Sequence, residues 1–269
     1  MGRKYIDENG TLTIPEGVER IRSEAYKNCA EIKRVVLPKS LRLIGRRAFQ
    51  GCENLCEIVS NGGLTHINDF AFSNCWNLRA LTLPDTLARV GHHAFYGCGK
   101  LTGFRFGKSV KSVKSSAFER CVGISAYTVD GSNPYLQAVD GVLYSKDGEK
   151  LLAYPRGKTD GKCAVIDGTK EVCAYAFQGN DYLVSVKFPD GLSKIGERAF
   201  QYCSSLQAVN IPASLRKMGQ SAFYDCPRVK QVHYKGDSLR WRAITNGLNT
   251  FSWKANPRVY AKDESFLHC

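Results

Sequence analysis

Eleven cysteines and five histidines are the residues of this 269-residue chain best suited to chemistry. A count that high ordinarily reads as a disulfide framework or a metal site. The spacing says something else. Cys29, Cys52, Cys75, Cys98 and Cys121 fall 23 residues apart, and Cys203 and Cys226 repeat the step. Stacked cysteines could bring Cα atoms within disulfide range, about 4.4–6.8 Å, but parallel side chains give a poor dihedral angle. A free cysteine also packs as a small buried hydrophobe. The spacing therefore favours free thiols in a structural ladder over stacked disulfides, with metal the weakest reading. The remaining candidates are weaker still. Gly157-Lys158-Thr159 has Leu152 where a phosphate loop needs glycine. Gly97, Gly99 and Gly103 miss a dinucleotide fingerprint by one place. No Gly-x-Ser-x-Gly elbow is present. Asp130, Asn133 and Asp140 have the wrong spacing and too few acids for a calcium loop. His92 and His93 are adjacent, so in an extended turn they point opposite ways, and they read as solvated. His268-Cys269 reads as a frayed tail. No catalytic residue, metal or cofactor is expected.

The elements that carry these residues are repeats. An Ala-aromatic pair recurs at Ala25-Tyr26, Ala48-Phe49, Ala71-Phe72, Ala94-Phe95 and Ala117-Phe118, then at Ala176-Phe177, Ala199-Phe200 and Ala222-Phe223. Each cysteine of the ladder follows the aromatic by three places; only Asn180 departs. Eleven places before the aromatic stand Pro15, Pro38, Pro84, Pro189 and Pro212, with Asn61, Gly107 and Ile166 as exceptions. Five places before it every residue is apolar: Ile21, Ile44, Ile67, Val90, Val113, Val172, Ile195 and Met218. A 23-residue unit is too small to bury its own apolar face, so the units must stack. The clearest unit runs from Leu78 to Gly97. There Leu81 and Leu83 alternate with Thr82, the period of a half-buried strand, and Pro84 ends it. Leu87 and Val90 point back inward, Gly91 bends the chain, and Ala94-Phe95 forms a short helical or 3-10 corner that plugs the core. The expected fold is a right-handed solenoid of about eight turns with a stacked parallel sheet and aromatic, leucine and cysteine ladders. Phe49, Phe72, Phe95, Phe118, Phe177, Phe200 and Phe223 form the aromatic column.

These units resemble the BspA-like, or Treponema-type, leucine-rich repeat: a strand, a proline, an Ile-Gly turn, then Ala-Phe-x-x-Cys. Asp140 to Tyr154 is similar to the hairpin insertion of that family, Tyr234 to Ile244 to its C-terminal cap, and Gly10 to Val18 to its entry strand. The resemblance spans about residues 10–260. It implies a secreted or surface protein that adheres to host or microbial macromolecules, without catalysis.

The organisation expected is one solenoid domain over residues 1–269. A five-repeat block covers 10–122, a hairpin insertion 123–168, a three-repeat block 169–231 and a cap 232–269. Asp147-Gly148 between apolar runs signals the hairpin. The insertion reads as a bridge between blocks or as a binding element. Trp241 and Trp253 close the open end of the stack or anchor a partner.

Composition fits a soluble globular chain, 43% apolar and 23% charged. No apolar run is long enough for a membrane helix. Met1 to Glu8 lacks the apolar region of a signal peptide, and Ile6 spoils a myristoylation signal. An intracellular protein and one whose signal has been removed both fit this N-terminus. The formal charge of +13 points to an acidic protein or acidic glycan partner. Outward positions of the sheet face carry it: Lys33, Arg34, Arg79, Arg105, Lys187, Lys230 and His233, with Val36, Thr82 and Asn210 among them. A second basic row comprises Arg42, Arg46, Arg47, Lys111, Lys114, Arg216 and Lys217. The equally plain alternative is a solvated face that only maintains solubility. The preferred function is a monomeric adhesion or protein-interaction module. The second is a polyanion binder inside the cell. Nucleic acid is the less favoured ligand, because the regular aromatics are committed to the core.

Overall fold

The computed structural model describes residues 5–245, 250, 251, 257–263 and 266–268, with the backbone alone at 115 and 266–268. Trp253 and Cys269 lie outside the described residues. The chain divides into two compact units, Met1–Ala138 and Val139–Cys269.

In the N-terminal unit each turn contributes one longer strand and one two-residue strand, and turns pair with their neighbours in parallel. The longer strands Thr11–Thr13, Arg34–Leu37, Glu57–Ser60 and Ala80–Thr82 form one sheet. Their register is in steps of 23, as in Leu12↔Val35↔Ile58↔Leu81. The short strands Arg20–Ile21, Leu43–Ile44, His66–Ile67, Arg89–Val90 and Ser112–Val113 form a second sheet. Alternation explains the burial: Val35 and Leu37 are buried while Arg34 is exposed, because successive strand residues face opposite sides.

The corner between these sheets is the third ladder. The amide of each aromatic donates to the alanine carbonyl of the next turn, at 2.8 Å for Tyr26 to Ala48, 2.8 Å for Phe49 to Ala71 and 2.7 Å for Phe72 to Ala94. Rings Tyr26, Phe49, Phe72, Phe95 and Phe118 stack face to face at centroid separations of 5.2, 5.2, 5.4 and 5.6 Å. The expected helical corners are corrected here. Among the described corners only that at Ser115–Phe118 is a 3-10 helix. Elsewhere the residue two places before the aromatic takes a left-handed φ, 59° at Glu24, 56° at Arg47, 58° at Phe70 and 51° at His93. That conformation is incompatible with a helix and turns the following amides toward the neighbouring turn.

The cysteines act as donors. Cys52 Sγ reaches the carbonyl of Tyr26 at 3.0 Å, Cys75 that of Phe49 at 3.2 Å, Cys98 that of Phe72 at 3.2 Å and Cys121 that of Phe95 at 3.0 Å. Each thiol is a second donor to a carbonyl that already accepts a backbone amide, as Tyr26 accepts that of Cys29 at 3.2 Å. All ten described cysteines are free thiols.

The turn from Leu78 to Gly97, the most regular in sequence, is where the longer-strand sheet divides. Ala80–Thr82 ends one sheet, and Gly103–Phe106 pairs instead with Ala126–Val129. Leu81 and Leu83 are half-buried rather than buried. The division coincides with a change of bulk. Phe104 and Phe106 replace the Leu81 and Leu83 of the previous turn, and both are buried among Phe118 and Tyr127.

The C-terminal unit repeats the plan. Its longer strands Lys162–Ala164, Ser185–Lys187, Ala208–Ile211, Gln231–Tyr234 and Arg258–Tyr260 are parallel, and Phe266–His268 closes the edge antiparallel. Val142–Ser145 and Lys150–Ala153 form the expected hairpin. Its second strand then joins Glu171–Val172, Lys194–Ile195 and Lys217–Met218 in parallel. Residues inside the sequence interruption thus build a further turn. Ala153-Tyr154 lies 23 residues before Ala176-Phe177, and the Tyr154 amide donates to Ala176 at 2.7 Å. The column here is Tyr154, Phe177, Phe200, Phe223 and Phe251, at 4.8, 4.5, 4.8 and 5.4 Å. Counting Tyr154 and Phe251 with the eight expected rungs gives about ten. Asn180, the exception to the cysteine rule, clamps the carbonyls of Pro155, Arg156 and Lys158 at 3.1–3.2 Å and accepts the amides of Tyr182 and Leu183. Trp241, on the helix Ser238–Thr245, is buried against Tyr234 at 5.3 Å.

Candidate interaction surfaces

Of the seven residues singled out by sequence, Arg34, Arg105, Lys187 and His233 lie on the longer strands, and Lys33, Arg79 and Lys230 immediately precede them. They do not form a continuous basic row. Arg34 bonds Glu57 at 2.9 Å, its register partner on the next strand. Arg105 bridges Asp85 at 3.1 Å and Asp130 at 2.7 Å. Ser132 and Arg105 hold the Asp130 carboxyl below the usual carboxylate range, with the Ser132 hydrogen bonds the larger cause. Lys33 and Arg79 are exposed, and Cys56 stands between them in the stack. In the other unit Lys187 lines a shallow hollow with Asp167, Phe188, Asp190, Asn210 and Lys235. Lys235 bonds Asp190 at 2.8 Å, so that hollow is electrically mixed. Lys230 is exposed, and His233 stacks on Tyr260 at 5.2 Å. Pairing between neighbouring turns neutralises Arg34 and Arg105, while Lys33, Arg79, Lys187 and Lys230 make no ion pair among the described residues.

The left-handed corner residues form an outer column that sequence reasoning missed. Glu24 bonds Arg47 at 3.4 Å, the Arg47 guanidinium lies 5.5 Å over Phe70, and Phe70 stacks on His93 at 4.9 Å. His93 in turn meets Glu119 at 3.2 Å and the edge of Tyr96. His93 is therefore packed, not the solvated position expected, whereas His92 is exposed with its ring 3.2 Å from Ser116 Oγ. Arg47 likewise leaves the second basic row for this column. The signal was present in the 23-residue alignment of Arg47, Phe70 and His93, but the αL geometry that lays them on one another is invisible in sequence.

The remaining second-row residues flank the two-residue strands. Arg42, Arg46, Lys111, Lys114, Arg216 and Lys217 are all exposed. His66 and Arg89 join them in the N-terminal unit. They were overlooked because a two-residue strand has no periodicity to read. The C-terminal unit differs: Lys170 bonds Glu149, and Lys194 bonds Glu171 at 2.6 Å.

Burial pushes the ladder thiols upward: Cys52 to about 12, and Cys75, Cys98 and Cys203 well above the usual value. Nucleophilic chemistry needs the opposite shift. Among the described residues no three His, Cys, Asp or Glu side chains gather as metal ligands, and no helix is long and apolar enough to cross a membrane.

A family model for the BspA type leucine rich repeat region matches residues 6–125 and 162–246, in six copies. Among solved structures, a leucine-rich repeat protein from Eubacterium ventriosum is 21% identical with a TM-score of 0.72, over 86% of this chain and 69% of that one. A leucine rich cell surface protein from Faecalibacterium prausnitzii is 25% identical with a TM-score of 0.64, over 87% and 81%. The pneumococcal vaccine antigen PcpA is 21% identical with a TM-score of 0.67, over 94% and 68%. No curated protein matches the sequence.

Proposed function

The chain belongs to the BspA type leucine-rich repeat family, and from that premise we propose that it is a non-catalytic adhesion or protein-interaction module acting at a bacterial surface or after secretion. The observation that carries this reading is the division of labour within each turn. Inward positions stay apolar, as in Leu12, Val35, Ile58 and Leu81, while outward positions such as Arg34, Glu57 and Ala80 change character at every step of the same ladder. A scaffold that fixes its interior and varies its face presents a surface rather than a cleft. The F. prausnitzii relative supports the location, being described as a cell surface protein.

The test is binding of the purified chain to immobilised host-matrix and bacterial-surface fractions. Saturable binding is expected, and it should weaken when Arg79, Lys187 and Lys230 are replaced by serine. Absence of saturable binding to every fraction would overturn the proposal.

A further inference from the structure

We propose that the short-strand sheet of the N-terminal unit, through Arg42, His66, Arg89 and Lys111, binds a linear acidic polysaccharide laid along the stack. The proposal rests on reading the chain as an interaction module, but it moves the contact from the longer strands to the opposite row and names the ligand.

Arg20, Leu43, His66, Arg89 and Ser112 stand in one ladder, each 23 residues from the next. Beside it runs a second ladder of Glu19, Arg42, Thr65, Ala88 and Lys111. The amides of Arg42, Thr65, Ala88 and Lys111 each donate to the carbonyl one turn earlier, at 2.8–3.0 Å. Parallel strands lie about 4.8 Å apart, so these cations recur along the stack at short, fixed intervals. Among the described residues none of Arg20, Arg42, Arg89 and Lys111 makes an ion pair; Arg42 donates only to the carbonyl of Lys39, at 2.9 Å. The acids around the row are otherwise engaged or terminal: Glu16 accepts the Lys39 amide at 3.1 Å. Glu19 sits at the end of the ladder, and Asp69 already accepts the His92 amide at 2.8 Å. The positive potential leaves a mark on His66, whose titration is pushed below the usual histidine value by burial first and by Arg89 and Lys111 next. Thr65 Oγ1 is 2.8 Å from His66 Nδ1.

The chemistry of the row selects the ligand. It holds no aromatic, so it offers no platform for stacked bases. It holds no exposed apolar anchor of the kind that dominates protein interfaces. What it offers is repeated unpaired charge with the hydroxyl of Ser112; Thr65 Oγ1 already donates to the Arg42 carbonyl at 2.8 Å. A sulfated or uronate-bearing glycan, with anionic groups repeated along an extended chain, matches that pattern.

Heparin is the test probe, with neutral dextran, poly-glutamate and a single-stranded oligonucleotide alongside. Titration calorimetry on the whole chain should show heparin binding that weakens steeply with salt. Replacing both Arg89 and Lys111 by serine should weaken it roughly tenfold, while Arg89→Lys retains it and Lys100→Ser, at a lysine that bonds Asn77 away from this row, leaves it unchanged. The His66 ring, followed by NMR, should titrate at higher pH once heparin is bound, because an adjacent anion favours the charged form. Salt-independent or absent heparin binding would sink the site. So would an intact affinity in the double variant, an immobile His66 titration, or equally tight binding of poly-glutamate or the oligonucleotide. If heparin fails while matrix or surface fractions still bind saturably, this site is wrong and the broader reading stands; if both fail, both fall.

Discussion

The N-terminal and C-terminal units build the same interior and exteriors that differ in how far their charges are paired. Each stacks five aromatic rings, Tyr26 to Phe118 in one and Tyr154 to Phe251 in the other. Each hangs the corner of one turn on the alanine carbonyl of the next, save that Phe223 uses Thr250. Yet the short-strand sheet of the first unit leaves Arg89 and Lys111 without a counter-charge, whereas that of the second pairs Lys170 with Glu149 and Lys194 with Glu171. Since both units fold on one plan, folding does not require either charge pattern. The interior is dictated by contact between like side chains. The exterior is free to be set by what the protein meets.

Cutting a rung from each column tests the claim of equal interiors most severely. Phe95→Ala and Phe200→Ala should each cost about 3–5 kcal/mol in urea unfolding, since each removes a fully buried ring stacked on both sides. A near-neutral result for either would break the equivalence. The asparagine clamp sharpens it further. Asn180→Ala should cost about 2–4 kcal/mol, because one side chain's bonds to three carbonyls and two amides are lost together. Cys98→Ala, which removes one weak S–H donor, should cost less. Equal costs would mean that Asn180 is no clamp.

The thiols make an alkaline prediction for both units. Cys52 and Cys163 stand at about 12 when folded, against an ordinary value of 9.0. The folded state favours the neutral thiol, so its stabilisation is complete below pH 9.0 and is lost as pH rises toward 12. Each such thiol should cost about 1.4 kcal/mol by about pH 10, seen as a falling urea midpoint. Cys52→Ser should remove its share of that fall; an unchanged slope would refute the assignment. The smallest effect concerns the exteriors. Glu171→Gln frees Lys194 and should raise heparin affinity by roughly twofold to threefold. No gain would show that unpaired charge is not what separates the two faces.

The architecture was legible because packing repeats. Ala-aromatic pairs, the cysteine interval and the apolar residue before the glycine all recur in step, and the coordinates stack them as expected. Two rungs escaped notice for different reasons. Ala153-Tyr154 obeys the interval, but the Asp147-Gly148 hairpin signal beside it dominated the reading of that segment. Phe251 lies 28 residues after Phe223, off the interval altogether. The division of the sheet after Leu81 was hidden by residue class: Phe104 and Phe106 are apolar like the leucines they follow, and only their bulk differs. The charged faces were the least legible. Net charge does not say which cation has a partner, and Arg34 and Arg89 look alike until Glu57 is seen beside one of them.

Every parallel partner in the N-terminal short-strand sheet is 23 residues from the last. A recombination event that removes or duplicates one whole 23-residue module leaves every seam matched, while a single-residue deletion turns the strand's inward side chains to the outside. Such a gene can change length by unequal crossing-over without relearning how to fold, and each module gained brings a fresh set of outward residues for selection to work on.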